Sequence, residues 1–455
     1  MSARVPIPHI VAVAALAVLG LVLALGSPAV AGATTNEASP IEQVGSEKLS
    51  DRLTELTLRT PAIAHDTGVR VLLPEGYAQH RKRSYPVLYL LHGSGGSEDD
   101  WTTTGDAEAI SAGYPLIIVM PDTDQNGYYS DWYNDGAFGP PRYETYQIKQ
   151  LIPWIDSRYR TVASRSGRAV AGLSMGGFGA LSYATRHPDL FSHVAGFSPA
   201  ANTNFAPFIA LQETGSSDGM PTTGIWGERT SQEVRWRGHN PWDLASNLRG
   251  MDVTLRYGNG NPGGPFGGGD PLEAGVHEMS VELDAKLTDL GIPHINDDYG
   301  AGGHTWDYWQ RDLKEELPLI MKSFATAAKP KSVNYRAIEP RYEVFGWHVA
   351  IDRTALEFSS LQNATRTHFG LAGSGDAVVK TPPRYAPRKR FAVEVRAESG
   401  DPEIERLRSS RRGRLRIEVP LGPANPDQEY TAAANLNGTD VFTSRVSIKR
   451  LAPKR

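Results

Sequence analysis

Ala169-Val170-Ala171-Gly172-Leu173-Ser174-Met175-Gly176-Gly177-Phe178-Gly179-Ala180-Leu181 carries the reading on which the fold turns. An apolar run ends in Gly-x-Ser-x-Gly, and a helix-like stretch begins at once. The pattern predicts a strand, a sharp turn at Ser174 and a helix, with the serine hydroxyl raised above the end of a sheet. Flanking glycines relieve crowding where a serine occupies such a turn. An ordinary strand-to-helix connection with a capping serine is the plainer alternative, and the surrounding chain decides between them.

Outward from this turn, short apolar, β-branched runs recur at Val69–Leu73, Val87–Leu91, Leu116–Met120, His193–Phe197, Val253–Tyr257 and His294–Tyr299. Such runs suit strands buried on both faces of a parallel sheet. Helical spacing lies between them, in Ile148, Leu151, Ile152, Ile155 and Tyr159, and again in Val276, Met279, Leu283, Leu287 and Leu290. A final helix carries Leu313, Leu317, Ile320 and Phe324. Strand–helix alternation of this kind predicts an α/β three-layer sandwich with a mostly parallel sheet over residues 53–328.

The chemistry expected of a raised serine needs oxyanion donors, a base and an acid. Leu90-Leu91-His92-Gly93-Ser94-Gly95-Gly96 follows the strand at Val87–Leu91 and supplies a glycine-rich loop. The backbone amides of Ser94 and Met175 are the expected oxyanion donors. His92 reads as a residue that orients this loop rather than as the base. The base must lie beyond the serine in this fold's chain order. His304, in Gly302-Gly303-His304-Thr305-Trp306 after the strand at His294–Tyr299, is the candidate; His187, His277 and His294 sit where structural roles suffice. The acid should follow the strand at Val253–Tyr257. There Gly258–Gly269, with seven glycines in twelve residues, leads to Asp270, Glu273 and Glu278. Glu273 is preferred and Asp270 is next, with helix capping the bland alternative for both.

Together these residues resemble the esterase D group of α/β-hydrolases, which includes S-formylglutathione hydrolases, secreted bacterial esterases and trehalose mycolyltransferases. The resemblance lies in Tyr85–Gly96, Ser130-Asp131-Trp132-Tyr133, Gly172–Leu181, Tyr257-Gly258-Asn259-Gly260-Asn261-Pro262 and His304-Thr305-Trp306-Asp307-Tyr308-Trp309. It runs from about Leu53 to Ala327. In the mycolyltransferases the catalytic acid is a Glu eighteen residues before the Gly that closes the next helix, and counting back from Gly291 reaches Glu273. The resemblance implies a Ser174, His304 and Glu273 triad, with His92, Trp132 and Trp306 on the substrate-binding surface and neither cofactor nor metal. One departure points toward the esterases. Where the mycolyltransferases carry Asp-Gly-Leu-Arg, this chain has His92-Gly93-Ser94-Gly95, so the arginine that would help hold a sugar is absent.

Composition narrows the chemistry further. The 455 residues contain no cysteine, which excludes disulfides, thiolate metal sites and a cysteine nucleophile. Aliphatic and aromatic residues make up 40%, and the net charge of −4 argues against a nucleic-acid partner. That charge is unevenly divided. Residues 32–329 hold 24 Lys and Arg against 37 Asp and Glu, a net of −13, while residues 330–455 hold 22 against 14, a net of +8. The basic segment also changes texture. Phe391, Val393 and Val395 alternate with polar residues, as do Leu415, Ile417 and Val419, which predicts a small β-sandwich-like domain over 335–455 after a Lys329–Ser332 linker.

At the other end, Arg4, the apolar run Ile10–Leu25 and Ala29-Val30-Ala31 read as a signal peptide over residues 1–31 rather than an uncleaved anchor. Residues 32–52 are expected to be a flexible lead-in, and no stable membrane span is expected. The expectation is therefore a secreted or envelope-located serine ester hydrolase acting on esters of a lipid or sugar alcohol. Its basic C-terminal domain would meet the cell-envelope surface. Two alternatives remain: an acyltransferase to a sugar or lipid alcohol of the envelope, and a non-catalytic envelope-binding protein. Trp226, Trp236 and Trp242 are expected to contribute to a pocket wall.

Overall fold

The computed structural model describes residues 41–217 and 219–452. The expected signal peptide and the start of the lead-in lie outside these residues. The α/β part is built on nine strands: β1 (Glu42–Lys48), β2 (Leu53–Arg59), β3 (Thr67–Leu72), β4 (Val87–Leu91), β5 (Ile117–Pro121), β6 (Arg168–Leu173), β7 (His193–Phe197), β8 (Asp252–Tyr257) and β9 (Ile295–Asp298). They lie in the order β1-β2-β3-β5-β4-β6-β7-β8-β9. From β5 through β4, β6, β7 and β8 to β9 every neighbour is parallel. The β1–β2, β2–β3 and β3–β5 pairs are antiparallel.

Why these segments become strands follows from where their side chains go. Along β4 to β7 every residue is buried, because helices cover both faces of the sheet. Alternate residues divide between two cores. Tyr89, Val119, Val170 and Val194 join one with Phe178 and Leu181 of α1 (Met175–Arg186) and Leu283 of α2 (Pro271–Asp289). Leu88, Ile118, Ala169 and Ala195 face the other, against Trp309, Leu313, Leu317 and Ile320 of α3 (Trp306–Thr326). The elbow strand is central, so its C-terminal end opens onto the middle of one sheet edge.

The chain enters the sheet earlier than the sequence suggests. Glu42–Lys48, expected within the flexible lead-in, forms β1. Its side chains are mostly exposed, so it has no apolar signature; the unpaired edge of β2 supplies its order.

Beyond α3, the chain forms two antiparallel sheets. The strands are β10 (Val333–Ala337), β11 (Arg341–Val344), β12 (Trp347–Asp352), β13 (Ser359–Ala364), β14 (His368–Gly373), β15 (Asp376–Lys380), β16 (Arg390–Arg396), β17 (Glu403–Arg408), β18 (Arg416–Pro420) and β19 (Phe442–Arg450). One sheet runs β10-β13-β14-β19-β16-β17 and the other β11-β12-β15-β18. Their inner faces enclose Trp347, Val379, Leu361, Leu371, Val393 and Ile417 in a core of their own. The β part is docked on the α/β part rather than tethered to it. Asn247 Nδ2 donates to Arg336 O (2.8 Å) and its Oδ1 accepts from Arg336 N (2.8 Å). Tyr335 Oη donates to Arg186 O (2.8 Å), and Val234, Leu244, Ile338 and Phe358 form a small apolar cluster across the junction.

Candidate active site

Ser174 caps α1 with φ 53° and ψ −118°, a conformation that L-residues seldom adopt. The turn is tight enough to exclude side chains around it. A Cβ on Gly176 would collide with the carbonyl oxygens of Leu91 and His92. The loop after β4 therefore lies directly against the elbow, and a Cβ on Gly93 would sit 3.5 Å from Ser174 Cβ. Ser174 N donates to Phe197 O (2.8 Å), which locks the turn to the neighbouring strand β7. Ser174 itself is half-buried.

His92 fixes the loop from below. It is 1% exposed; its Nδ1–H donates to Gly93 O (2.8 Å) and its Nε2 accepts from Thr123 N (3.1 Å). With both nitrogens engaged and Asp122 Oδ1 3.4 Å from Nε2, the ring is held in place and orients the loop. It does not present a group to a substrate, contrary to its grouping with the substrate-binding residues. Ser94 Oγ bonds Asn126 Oδ1, while Gly95 N and Gly96 N are taken by Gln125 O and Gly93 O. The amides of Ser94 and Met175 donate to no acceptor among the described residues.

The next two strand ends supply a carboxylate and an imidazole. Glu273, in the first turn of α2, is completely buried. Its Oε1 accepts from Gly258 N (2.6 Å) and Ser198 Oγ (2.9 Å), and its Oε2 meets His304 Nδ1 at 2.7 Å. His304 Nε2 is buried and has no hydrogen-bond partner. The ring packs edge-on against Trp309 (4.9 Å between centroids, 89°). A buried carboxylate on Nδ1 fixes the tautomer that leaves Nε2 as an acceptor and stabilises the imidazolium when Nε2 takes a proton.

Asp270 is present at the same site in a different role from the acid. Its Oδ1 caps α2 by accepting from Glu273 N (2.7 Å), and its Oδ2 accepts from His304 N (2.7 Å). One carboxylate thus fixes the backbones of both members of the Glu–His pair. Glu278, the third acidic residue, lies further along the same helix.

The expected tryptophans divide by position. Trp306 is partly exposed and continues a ring ladder from His304 and Trp309 to Trp101, with centroids 5.3 Å from Trp309 and 5.2 Å from Trp101. Trp132 is instead 1% exposed, and its Nε1 donates to Gly127 O (3.2 Å), so it builds the core rather than a substrate surface. Trp226 and Trp236 are likewise core residues, 5.1 Å apart, and Trp242 carries Lys286 over its ring at 4.2 Å. These indoles pack because large apolar rings gain most from full burial.

Ser198 is the functional residue that sequence reading missed. It adopts φ 46°, is completely buried, and holds Glu273 while accepting from Trp309 Nε1 (3.3 Å). A signal existed in Phe197-Ser198-Pro199, a polar residue at the C-terminal end of a buried parallel strand beside the elbow strand. Among the described residues no group of three or more His, Asp or Glu is arranged to hold a metal ion, and no helix is long and apolar enough to cross a membrane.

A family model described as a putative esterase matches residues 60–320. An esterase of Mycobacterium tuberculosis (strain H37Rv) is 35% identical over 270 residues, 58% of this chain and 58% of that protein. The matched region therefore spans a little over half the length of that relative. The diacylglycerol acyltransferase/mycolyltransferase Ag85B of Mycolicibacterium smegmatis is 28% identical over 332 residues, 69% of this chain and 94% of that protein. A solved ferulic acid esterase resembles 60% of this chain over 98% of its own length, at 25% identity and a TM-score of 0.47.

Proposed function

The chain belongs to the putative esterase family, and from that premise we propose that it is a secreted serine ester hydrolase working through an acyl-enzyme on Ser174. The observation that carries this reading is the buried Glu273–His304 pair. One imidazole nitrogen is bound to a carboxylate and the other is unpartnered, on the same sheet edge as a strained serine.

His304 Nε2 takes the Ser174 hydroxyl proton as Oγ attacks the ester carbonyl carbon. The charge that builds on the carbonyl oxygen falls to the amides of Ser94 and Met175, a contribution of about 3–4 kcal/mol per donor in related sites. Collapse of the tetrahedral species breaks the bond to the alkoxy oxygen, which leaves with the proton from His304. Water then repeats the sequence on the acyl-enzyme and releases the acid. Glu273 holds the ring in its productive orientation. The substrate in this reading is an ester of a lipid or sugar alcohol, met at the cell envelope after removal of residues 1–31.

A second reading, acyl transfer to a sugar or lipid alcohol, uses the same residues with the acceptor alcohol in place of water. The similarity to the Ag85B mycolyltransferase favours it, and the His92–Gly95 sequence favours hydrolysis. Turnover of a short-chain p-nitrophenyl ester with added sugar separates them: free acid is expected, and predominant acylated sugar would reverse the assignment. Fluorophosphonate labelling tests the nucleophile itself. Labelling is expected in the parent and absent in Ser174→Ala; a parent protein that neither labels nor turns over the ester is a non-catalytic binding protein.

A further inference from the structure

The outward face of the six-stranded sheet carries a charge arrangement that its fold does not require. Along β14, β19 and β16, Phe369, Val446 and Val393 point into the core, so the alternate residues point out. Cross-strand register then sets like charges opposite one another. Arg396 faces Arg445, and Arg390 faces Arg408. Lys449 and Arg406 flank Ala392 from either side. Directly opposed like charges weaken a sheet. Arg390, Arg406, Arg445 and Lys449 are exposed and have no carboxylate within ion-pair distance among the described residues, and Glu394 alone balances Arg396, at 3.1 Å.

Between the cations the surface is polar and recessed. Gly370 and Ser447 leave a groove of about 490 Å³ lined by Gln362, Asn363, His368, Glu394, Arg396 and Arg445. Amides, an imidazole and a carboxylate bond hydroxyl groups, while the arginines pair with acid groups. We propose that this face binds an acidic polysaccharide, a chain that offers hydroxyls to Gln362, Asn363 and Glu394 and carboxylates or phosphates to the arginines.

The composition of the face favours this ligand over the other polyanions. Among the described residues of its strands, Ile404 is the one exposed large apolar side chain and no Phe, Tyr or Trp is exposed, so the face lacks groups to insert among acyl chains. Glu394 in the groove would repel the closely spaced phosphates of a nucleic acid, whereas a sugar hydroxyl donates to it.

Affinity electrophoresis of the full-length protein through gels containing alginate, a polyuronate, tests the proposal. Dextran, phosphatidylglycerol vesicles and duplex DNA serve as comparison probes. Retardation by alginate but not by dextran is expected, weakening as salt is raised. The double change Arg445→Glu and Lys449→Glu should lower alginate affinity by roughly tenfold or more, with hydrolysis of a soluble p-nitrophenyl ester unaffected and the melting temperature not lowered, since Arg445→Glu relieves its opposition to Arg396. Gln362→Ala keeps the net charge. It should lower alginate affinity by roughly threefold while leaving elution from a cation exchanger unchanged, as expected for loss of a single hydrogen bond. No retardation by alginate, binding to vesicles or DNA in its place, or full alginate affinity in either variant would overturn the assignment.

Discussion

Two hydrogen bonds at Ser198 Oγ fix the direction of its proton. Trp309 Nε1 can only donate, so it occupies an Oγ lone pair, and the Ser198 hydrogen is left for Glu273 Oε1 at 2.9 Å. The same indole packs edge-on against His304. One tryptophan therefore sets both the hydroxyl that holds the carboxylate and the ring that the carboxylate holds. Ser198→Ala removes one hydrogen bond to a charged group, worth about 1.5–3 kcal/mol, so kcat should fall by roughly 10- to 100-fold. KM should change little, because Ser198 is buried behind Glu273 and touches no substrate. Glu273→Gln removes the carboxylate itself and should cost on the order of 10²–10⁴ in kcat. Steady-state kinetics on one soluble ester compare the two. A Ser198→Ala enzyme as fast as the parent would show that Gly258 N alone holds the carboxylate in place.

At the scale of elements, the N-terminus of α2 organises the site. Asp270 accepts from Glu273 N with one oxygen and from His304 N with the other, so the helix start and the loop after β9 share a single anchor. Asp270→Asn retains one acceptor oxygen and Asp270→Ala retains none. The alanine variant should lose about 1–2 kcal/mol of stability, as for other lost caps, and activity should fall in the order parent, Asn, Ala. Thermal unfolding and kcat measured on the same three proteins check this; equal activity in all three would mean that the loop after β9 needs no anchor. The dual role also explains why sequence reading left Asp270 beside Glu273 as a candidate acid. Spacing along a helix start shows that both carboxylates are near the turn, but not which one reaches across to the imidazole. The parallel strands from β4 to β9 were legible because burial on both faces leaves an apolar run in the sequence. By contrast, β1 left none, since its order comes from pairing with β2 and its side chains face solvent. Ser174 and His304 were legible from the glycines that the turn and loop require. Ser198 left only the weak signal of a polar residue at the end of a buried strand, and Trp309 only its place in a motif, because their roles exist only where β7, α2 and α3 meet.

For the molecule as a whole, the junction between the α/β and β parts is an ionic cluster rather than a hinge, and this makes its acid stability readable. Arg186 reaches Glu144 (3.0 Å) from α1 and Glu339 (2.7 Å) from the segment after β10, while His187 meets Glu144 at 2.6 Å. His239 lies 3.9 Å from Glu144, with its Nδ1–H on Arg235 O (2.8 Å). Burial and then the adjacent Arg186 guanidinium push the His239 pKa down to about 4. Burial works against ionisation of Glu144 as well, but Arg186 and His187 outweigh it and hold the carboxyl well below its usual range. In the unfolded chain the histidine would take its proton near pH 6.5. Between about pH 6.5 and 4 the unfolded state therefore binds more protons than the native one, and native stability falls as the pH falls. Glu144 adds to the loss below its ordinary value, with the same sign. His239→Gln keeps an N–H for Arg235 O and removes the titration. Melting temperatures followed from pH 7.5 to 4.5 should fall less steeply in this variant, by about 2 kcal/mol of unfolding free energy at the acid end. The β part should melt with the α/β part in one transition, since Tyr335, Arg336 and Glu339 bind the same elements that carry the cluster. Parallel acid limbs in parent and variant would instead assign the acid loss to carboxylates elsewhere, with His239 already accommodated in its charged form.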